Sequence, residues 1–116
     1  MKTQLQLVTY EQAKRLKELG FDYPTNASYS NDGCIGGHIL NLSNSKLKYD
    51  CYCAPSIALA LKWGRDVKGI NGWVLKRAWE FFYCVEHNEQ ECEFSTYELA
   101  ESALLDAILT ILEQKI

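Results

Sequence analysis

Hydrophobic and polar residues recur along this chain with two different periods, which divide it into predicted helices and strands. A spacing of three and four residues predicts helices over residues 9–19, 55–69 and 96–116. Alternation with a period of two predicts strands in the stretches between them. We therefore expect an α+β fold, with three helices packed on a small antiparallel sheet, in a single domain that spans residues 1–116.

Local signals mark the ends of these helices. Residues 9–12 (Thr-x-x-Gln) and 95–98 (Ser-x-x-Glu) match capping boxes, in which two side chains satisfy backbone amides at the start of a helix. Pro55 suits a first helical turn, because its φ is already fixed and no amide proton is needed there. Gly69 is placed to end the central helix in a left-handed conformation. The apolar arc of this helix is wide, so we expect it to be a core helix.

Turn-forming residues predict a first hairpin between the first two helices. Residues 31–33, Asn-Asp-Gly, are typical of a turn, and residues 34–42 after them alternate as a strand does. Residues 47–53 are expected to return as the partner of that strand.

Aromatic and β-branched residues predict a second hairpin after the central helix. The run over residues 73–86 is expected to pair with residues 91–94 across a turn at residues 87–89. The run is longer than a usual strand of ~3–10 residues, so we expect a break near residues 76–77.

Two apolar stripes run along the C-terminal helix, and only one is needed to cover a sheet. The expected core stripe consists of Tyr97, Ala100, Leu104, Ala107, Ile108 and Ile111. The second stripe consists of Leu105, Leu109, Leu112 and Ile116. The simpler interpretation, which we favour for this stripe, is that it packs inside the chain itself, under the first helix or a loop. The alternative, a surface for a protein partner or a second copy of the chain, is the one that would carry a function.

Composition agrees with a folded globular protein. The chain has 116 residues, of which 47% are hydrophobic and 23% are charged. Its apolar runs are interrupted by charges well short of the ~18 residues of a membrane span, and residues 1–7 lack a signal-peptide core. Five cysteines, an odd number, are typical of reduced thiols. We expect a cytoplasmic protein that does not contact a membrane.

The cysteines and histidines give little support for a chemical site. Cys51 and Cys53 share a strand face, while Cys84, His87 and Cys92 fall near the second hairpin turn. Structural zinc sites usually show paired Cys or His knuckles, which this sequence lacks. Core packing explains these thiols better, so we predict no catalytic, cofactor or metal residues and no enzymatic activity. A thiol- or zinc-dependent protein is the more distant alternative.

Nucleic-acid binding is the nearer alternative. Basic residues form short groups at residues 14–17, 46–48 and 62–68, and aromatic residues such as Trp73 and Tyr29 have rings able to stack on bases. Acidic residues interrupt most of these groups, and a net charge of -3 provides no overall attraction to phosphates. We therefore favour protein over nucleic acid as the partner.

The order of these elements, with residues 54–70 at the centre, resembles a group of short prophage and mobile-element proteins of gut Bacteroides-type bacteria. Ala54-Pro55 and Lys62-Trp63, followed by Arg65, match the central pattern of that group, whereas Gly64 stands where the group usually has Leu. The resemblance implies an α+β fold and a bacterial mobile-element origin, and it transfers no activity. The sequence thus predicts a small, non-catalytic interaction or accessory protein that binds a protein partner or itself.

Overall fold

The computed structural model describes residues 6–47, 50–86, 88–89 and 93–115. These residues form three α-helices and two small antiparallel sheets, which confirms the predicted α+β class. In chain order the elements are α1 (Tyr10–Glu18), β1 (Thr25–Tyr29), β2 (Ile35–Leu42), a 3₁₀ turn (Asn44–Lys46), β3 (Tyr52–Cys53), α2 (Ile57–Val67), β4 (Gly72–Arg77), β5 (Glu80–Val85), β6 (Asn88–Glu89) and α3 (Tyr97–Gln114).

The strands divide between two sheets, where the sequence pattern predicts one. One sheet has the order β2-β1-β3 and the other the order β4-β5-β6. The chain separates into two compact units, the first ending at Ala60 and the second beginning at Leu61. The prediction of a single domain over residues 1–116 stays a prediction.

In the first unit, β1 is a strand that the sequence pattern does not reveal. It lies between β2 and β3, with Ser28 opposite both Gly36 and Cys53. In the described part of the chain, β2 and β3 therefore each pair with β1, where the sequence pattern predicts that residues 34–42 pair with residues 47–53. Because β1 reads Thr-Asn-Ala-Ser-Tyr, it has almost no apolar alternation to detect. The predicted strand over residues 47–53 is reduced to Tyr52–Cys53 in the described part of the chain.

A buried asparagine ties this sheet to the end of α1. Asn44 is only 7% exposed, and its Nδ2 donates a hydrogen bond of 2.7 Å to the Phe21 carbonyl oxygen. Its Oδ1 accepts a hydrogen bond of 2.9 Å from the Cys53 amide. One side chain therefore satisfies two backbone groups that burial would otherwise leave unpaired. The predicted capping box at Thr9 and Gln12 is confirmed at the other end of α1.

Helix α2 has the signals that the sequence predicts, shifted at its start. It begins at Ile57, and the Ser56 hydroxyl accepts a hydrogen bond from the Leu59 amide, so Pro55 precedes the helix instead of opening it. Gly69 ends it with φ +72°, as predicted. Trp63 is 2% exposed, which agrees with a core helix.

In the second unit, β4 and β5 form a hairpin around a two-residue turn. Arg77 lies opposite Glu80, so the turn is Ala78–Trp79, two residues later than the predicted break. Residues 88–89 are paired in β6 rather than forming part of a turn. His87 and residues 91–92 of the predicted return strand lie outside the described residues. Phe94 does return, and exchanges two backbone hydrogen bonds of 2.9 Å with Phe81.

Helix α3 packs closely on the β4–β5 hairpin. A Cβ at Gly72 would lie 2.6 Å from Leu104 Cδ1 and 3.2 Å from Ile108 Cδ1, so only glycine lets the helix approach this far. The helix starts one residue later than predicted: the N-cap is Thr96, whose hydroxyl accepts a hydrogen bond of 3.2 Å from the Leu99 amide. The close packing of Leu104 and Ile108 against Gly72 fixes which side of α3 faces outward.

Candidate interaction surface

The leucines predicted to form a partner surface are buried. Leu105, Leu109 and Leu112 are 1%, 0% and 6% exposed, and Ile116 lies outside the described residues. The buried side chains of α3 cover about half of its circumference at ~100° per residue, instead of one narrow stripe. These three leucines do not form an exposed flank, and their burial agrees with the favoured interpretation of internal packing. Self-association itself stays a prediction.

An open apolar groove lies instead along a different side of α3, against β5. Its volume is about 470 Å³. The lining residues are Tyr83, Val85, Ala103, Asp106, Ala107, Thr110 and Ile111. Ala107 and Ile111 belong to the stripe predicted to be core, yet both are half-exposed. Ala100, Leu104 and Ile108 of the predicted core stripe are buried as expected, so the open part of α3 is the remainder of that stripe.

Small side chains shape the floor of this groove. Ala103 and Ala107 are one helical turn apart on α3, and Ile111 follows one turn later. Because alanine fills little space, these positions leave a hollow between α3 and β5. Tyr83 and Val85, two residues apart, come from the same face of β5 and form the opposite wall. The groove is therefore a property of the α3–β5 packing.

A strip of aromatic rings continues from the groove. Tyr83 contacts Phe94 with ring centroids 6.0 Å apart, and Phe81 meets Tyr97 edge to face at 6.2 Å. Phe94 pairs with Phe81 through the backbone, so the four rings are neighbours. Tyr97 is 47% exposed, and the other three rings are half-buried. We call Phe81, Tyr83, Phe94 and Tyr97 the aromatic strip. Aromatic side chains of this kind are enriched at the centres of protein interfaces.

The groove and the strip lie in the most acidic part of the sequence. Residues 78–114 include no lysine or arginine. Their carboxylates are Glu80, Glu86, Glu89, Glu91, Glu93, Glu98, Glu101, Asp106 and Glu113. Asp106 lines the groove and is exposed. Every residue that lines the groove, and every residue of the aromatic strip, falls within this acidic segment.

Two carboxyl groups near the aromatic strip have raised pKa values. A hydrogen bond with Glu93 is the main cause that raises the pKa of Glu80, with repulsion from the same residue adding to it. Burial raises the pKa of Glu101, although the hydrogen bond of 3.2 Å that its Oε2 accepts from the Tyr97 hydroxyl opposes this effect. Both shifts are typical of carboxylates in a crowded, partly desolvated acidic region.

The tip of the β4–β5 hairpin presents another exposed aromatic side chain. Trp79 is 89% exposed, and Ala78 before it has φ +53°. A positive φ at the first turn residue is usual for glycine and unfavourable for alanine. At the foot of the turn, the Arg77 guanidinium lies 5.6 Å from the centre of the Phe82 ring.

Cys53 and Cys34 lie in different environments, and neither has a lowered thiol pKa. Cys53 is buried, and burial raises its pKa, so its thiol is held protonated. Cys34 is exposed, but the hydrogen bond with Asp32 and the charge of that carboxylate raise its pKa. Among the described residues, no three Cys, His, Asp or Glu side chains are grouped to hold a metal ion. Cys92 and His87 lie outside those residues.

Basic residues of the first unit already have aromatic partners. Lys14 lies 5.6 Å from the Tyr10 ring centre, and Lys17 lies 5.3 Å from that of Tyr52. The Lys17 ammonium also donates a hydrogen bond of 2.8 Å to the Cys51 carbonyl oxygen. These contacts hold two members of a predicted basic group in place inside their own unit.

Comparisons with protein-family models, curated proteins and solved structures found no match for this chain. In the part of the chain that the structure describes, no helix has both the length and the apolarity needed to cross a membrane. The functional interpretation of the groove and the aromatic strip therefore rests on their own residues and not on a relative. A window of charge along the sequence would have revealed the acidic segment, which the net charge of the whole chain conceals.

Proposed function

We propose that this chain is a small, non-catalytic interaction protein that binds a protein partner through the groove of α3 and the aromatic strip. The observation that carries the proposal is their continuity, since Tyr83 both lines the groove and contacts Phe94. A continuous apolar surface with polar surroundings is characteristic of an interaction site. An accessory role in a mobile element accords with the family resemblance.

Charge favours a different protein over a second copy as the partner. Two identical copies of this face would bring two acidic segments together, and like charges disfavour such an association. The same charge disfavours nucleic acid on this face, because phosphates would be repelled.

The test is whether captured proteins depend on the groove. Ala107→Trp fills the groove without changing charge, and Ala58→Trp adds the same ring to an exposed position on α2. We expect a bacterial lysate protein to be retained by the immobilised wild type and by Ala58→Trp, and lost with Ala107→Trp. Circular dichroism on each variant verifies its fold. If folded Ala107→Trp retains the same proteins as the wild type, or the wild type retains none, the proposed function is refuted.

A further inference from the structure

We infer that the partner of the groove is a cationic amphipathic helix belonging to another protein. This inference rests on the proposed function and names the chemistry of the partner. It follows from the shape of the groove, from the charge of the segment that forms it, and from the way cationic side chains already lie on the same hairpin.

The shape of the groove suits a helix. Ala103, Ala107 and Ile111 line it at intervals of four residues, so it follows α3 for about 12 Å, a little over two helical turns. A partner helix lying along it would place apolar side chains one turn apart opposite these residues. The two alanines allow the helix axes to come close, since interaxial distance depends on side-chain size at the contact.

The charge of the surroundings selects a basic helix among amphipathic ones. A helix seated in the groove with its apolar side inward would have the edges of its polar side beside the rim of the groove. The sequence that forms this surface, residues 78–114, has nine carboxylates and no lysine or arginine. Asp106 is the carboxylate among the residues that line the groove. Lysine and arginine on the polar side would be attracted, and glutamate and aspartate repelled.

The β4–β5 hairpin already has two cationic side chains that lie over aromatic rings. The Lys76 ammonium lies 5.6 Å from the centre of the Phe81 ring, which belongs to the aromatic strip. The Arg77 guanidinium stands at the same distance from the Phe82 ring on the other face of the strand. Cations over aromatic faces are attracted to the ring quadrupole. Of the other rings of the strip, Tyr97 is 47% exposed and offers the same kind of contact to a partner.

The experiment uses two synthetic helical peptides of ~18 residues, long enough to form several turns. Both have leucines on one face, and the other face carries lysines in one peptide and glutamates in its matched counterpart. Binding to the full chain is measured by fluorescence anisotropy. Perturbed NMR signals of the wild type locate the contact, so this readout does not depend on how a variant folds. Asp106→Lys reverses the charge at the groove, and Glu18→Lys makes the same change at an exposed position of α1.

We expect the lysine peptide to bind with a dissociation constant of roughly 1–100 µM and to perturb the signals of Tyr83 and Ile111. Asp106→Lys should weaken binding about tenfold, whereas Glu18→Lys should change it less than about twofold. The inference is overturned if the glutamate peptide binds equally well, if both charge variants have the same effect, or if the groove signals do not move. It is equally overturned if a second copy of the chain occupies the groove, seen as a dimer that Ala107→Trp disrupts. None of these results removes a groove-dependent protein capture, so the proposed function stands or falls on that separate test.

Discussion

Gly64 lies where α2 contacts α3, and adding a methyl group there tests how the two helices pack. It is buried in α2, and a Cβ at this position would lie 3.6 Å from Ile108 Cγ2 and 3.6 Å from Ile70 Cγ2. Both are ordinary van der Waals contacts with side chains, so the methyl group of Gly64→Ala fits without a shift. The close backbone approach that a helical glycine permits is not used here.

The expected effect of Gly64→Ala is a gain in stability. Alanine is favoured over glycine inside a helix by about 0.8–1.0 kcal/mol. Burying one added methyl group contributes up to about 0.8 kcal/mol more. The free energy of unfolding should therefore rise by about 1–2 kcal/mol, and Tm by roughly 4–8 °C.

Gly72→Ala is the matched control, because it makes the same change in the same unit where there is no space. Its Cβ would lie 2.6 Å from Leu104 Cδ1 and 3.1 Å from the Cys84 carbonyl oxygen, and a backbone atom cannot easily move away. We expect a loss of about 1–3 kcal/mol. Urea denaturation followed by tryptophan fluorescence and by circular dichroism measures both variants. A destabilising Gly64→Ala, or two effects of the same sign, would refute the described contact between α2 and α3.

Three further predictions concern stability. Asn44→Ala removes both hydrogen bonds of a buried amide and should lower the free energy of unfolding by about 2–4 kcal/mol in urea denaturation. The control is Asn26→Ala at an exposed position, and an Asn44→Ala loss no larger than the control's would contradict the bridging role of Asn44. Ala78→Gly relieves a positive φ, at an entropic cost in the unfolded chain, and should raise the unfolding free energy by about 0.5 kcal/mol, measured as Tm; unchanged or lower stability would count against the turn geometry. The pKa of Glu101 is higher in the folded state than in the unfolded state, because burial disfavours its charged form. The free energy of unfolding therefore falls as pH rises from the unfolded-state pKa through the folded-state pKa. Glu101→Gln should therefore be more stable than the wild type at neutral pH, by less than about 1 kcal/mol because solvent screens this partly exposed carboxylate. Thermal melts should show the difference vanishing below about pH 4, and a difference that grows on acidification would reverse the assigned sign.

The helices could be predicted because their signals are local. Spacing of three and four residues, the Thr9 capping box and the left-handed Gly69 depend only on neighbours in the sequence, and the structure confirms each of them. The first sheet could not be predicted equally well, because β1 is held by its neighbours on both sides and its own residues are polar. Strand pairing of this kind depends on tertiary context more than on intrinsic preference.

The groove could not be located from the sequence for a different reason. Periodicity shows that α3 has apolar residues on most of its circumference, but it does not say which of them the rest of the chain covers. Leu105 and Leu109 look as suitable for a partner as Ala107 and Ile111 do. The close approach at Gly72 is what settles the orientation, by seating Leu104 and Ile108 on the hairpin and leaving Ala107 and Ile111 outward. Glycine's role there depends on a contact between distant segments.

The acidic segment also makes the two modes of association respond oppositely to salt. If the groove binds a cationic helix, raising ionic strength screens an attraction, and affinity falls as the Debye length shortens from about 10 Å at 0.1 M to about 3 Å at 1 M. If two copies instead meet through this face, the same screening removes a repulsion between their carboxylates, and association strengthens. Asp106 lies on the groove wall in either arrangement, so Asp106→Asn should reduce the salt dependence of the first mode and favour the second even at low salt. Because the two modes differ in sign and not only in size, sedimentation and peptide titration across a salt series separate them without knowledge of the natural partner.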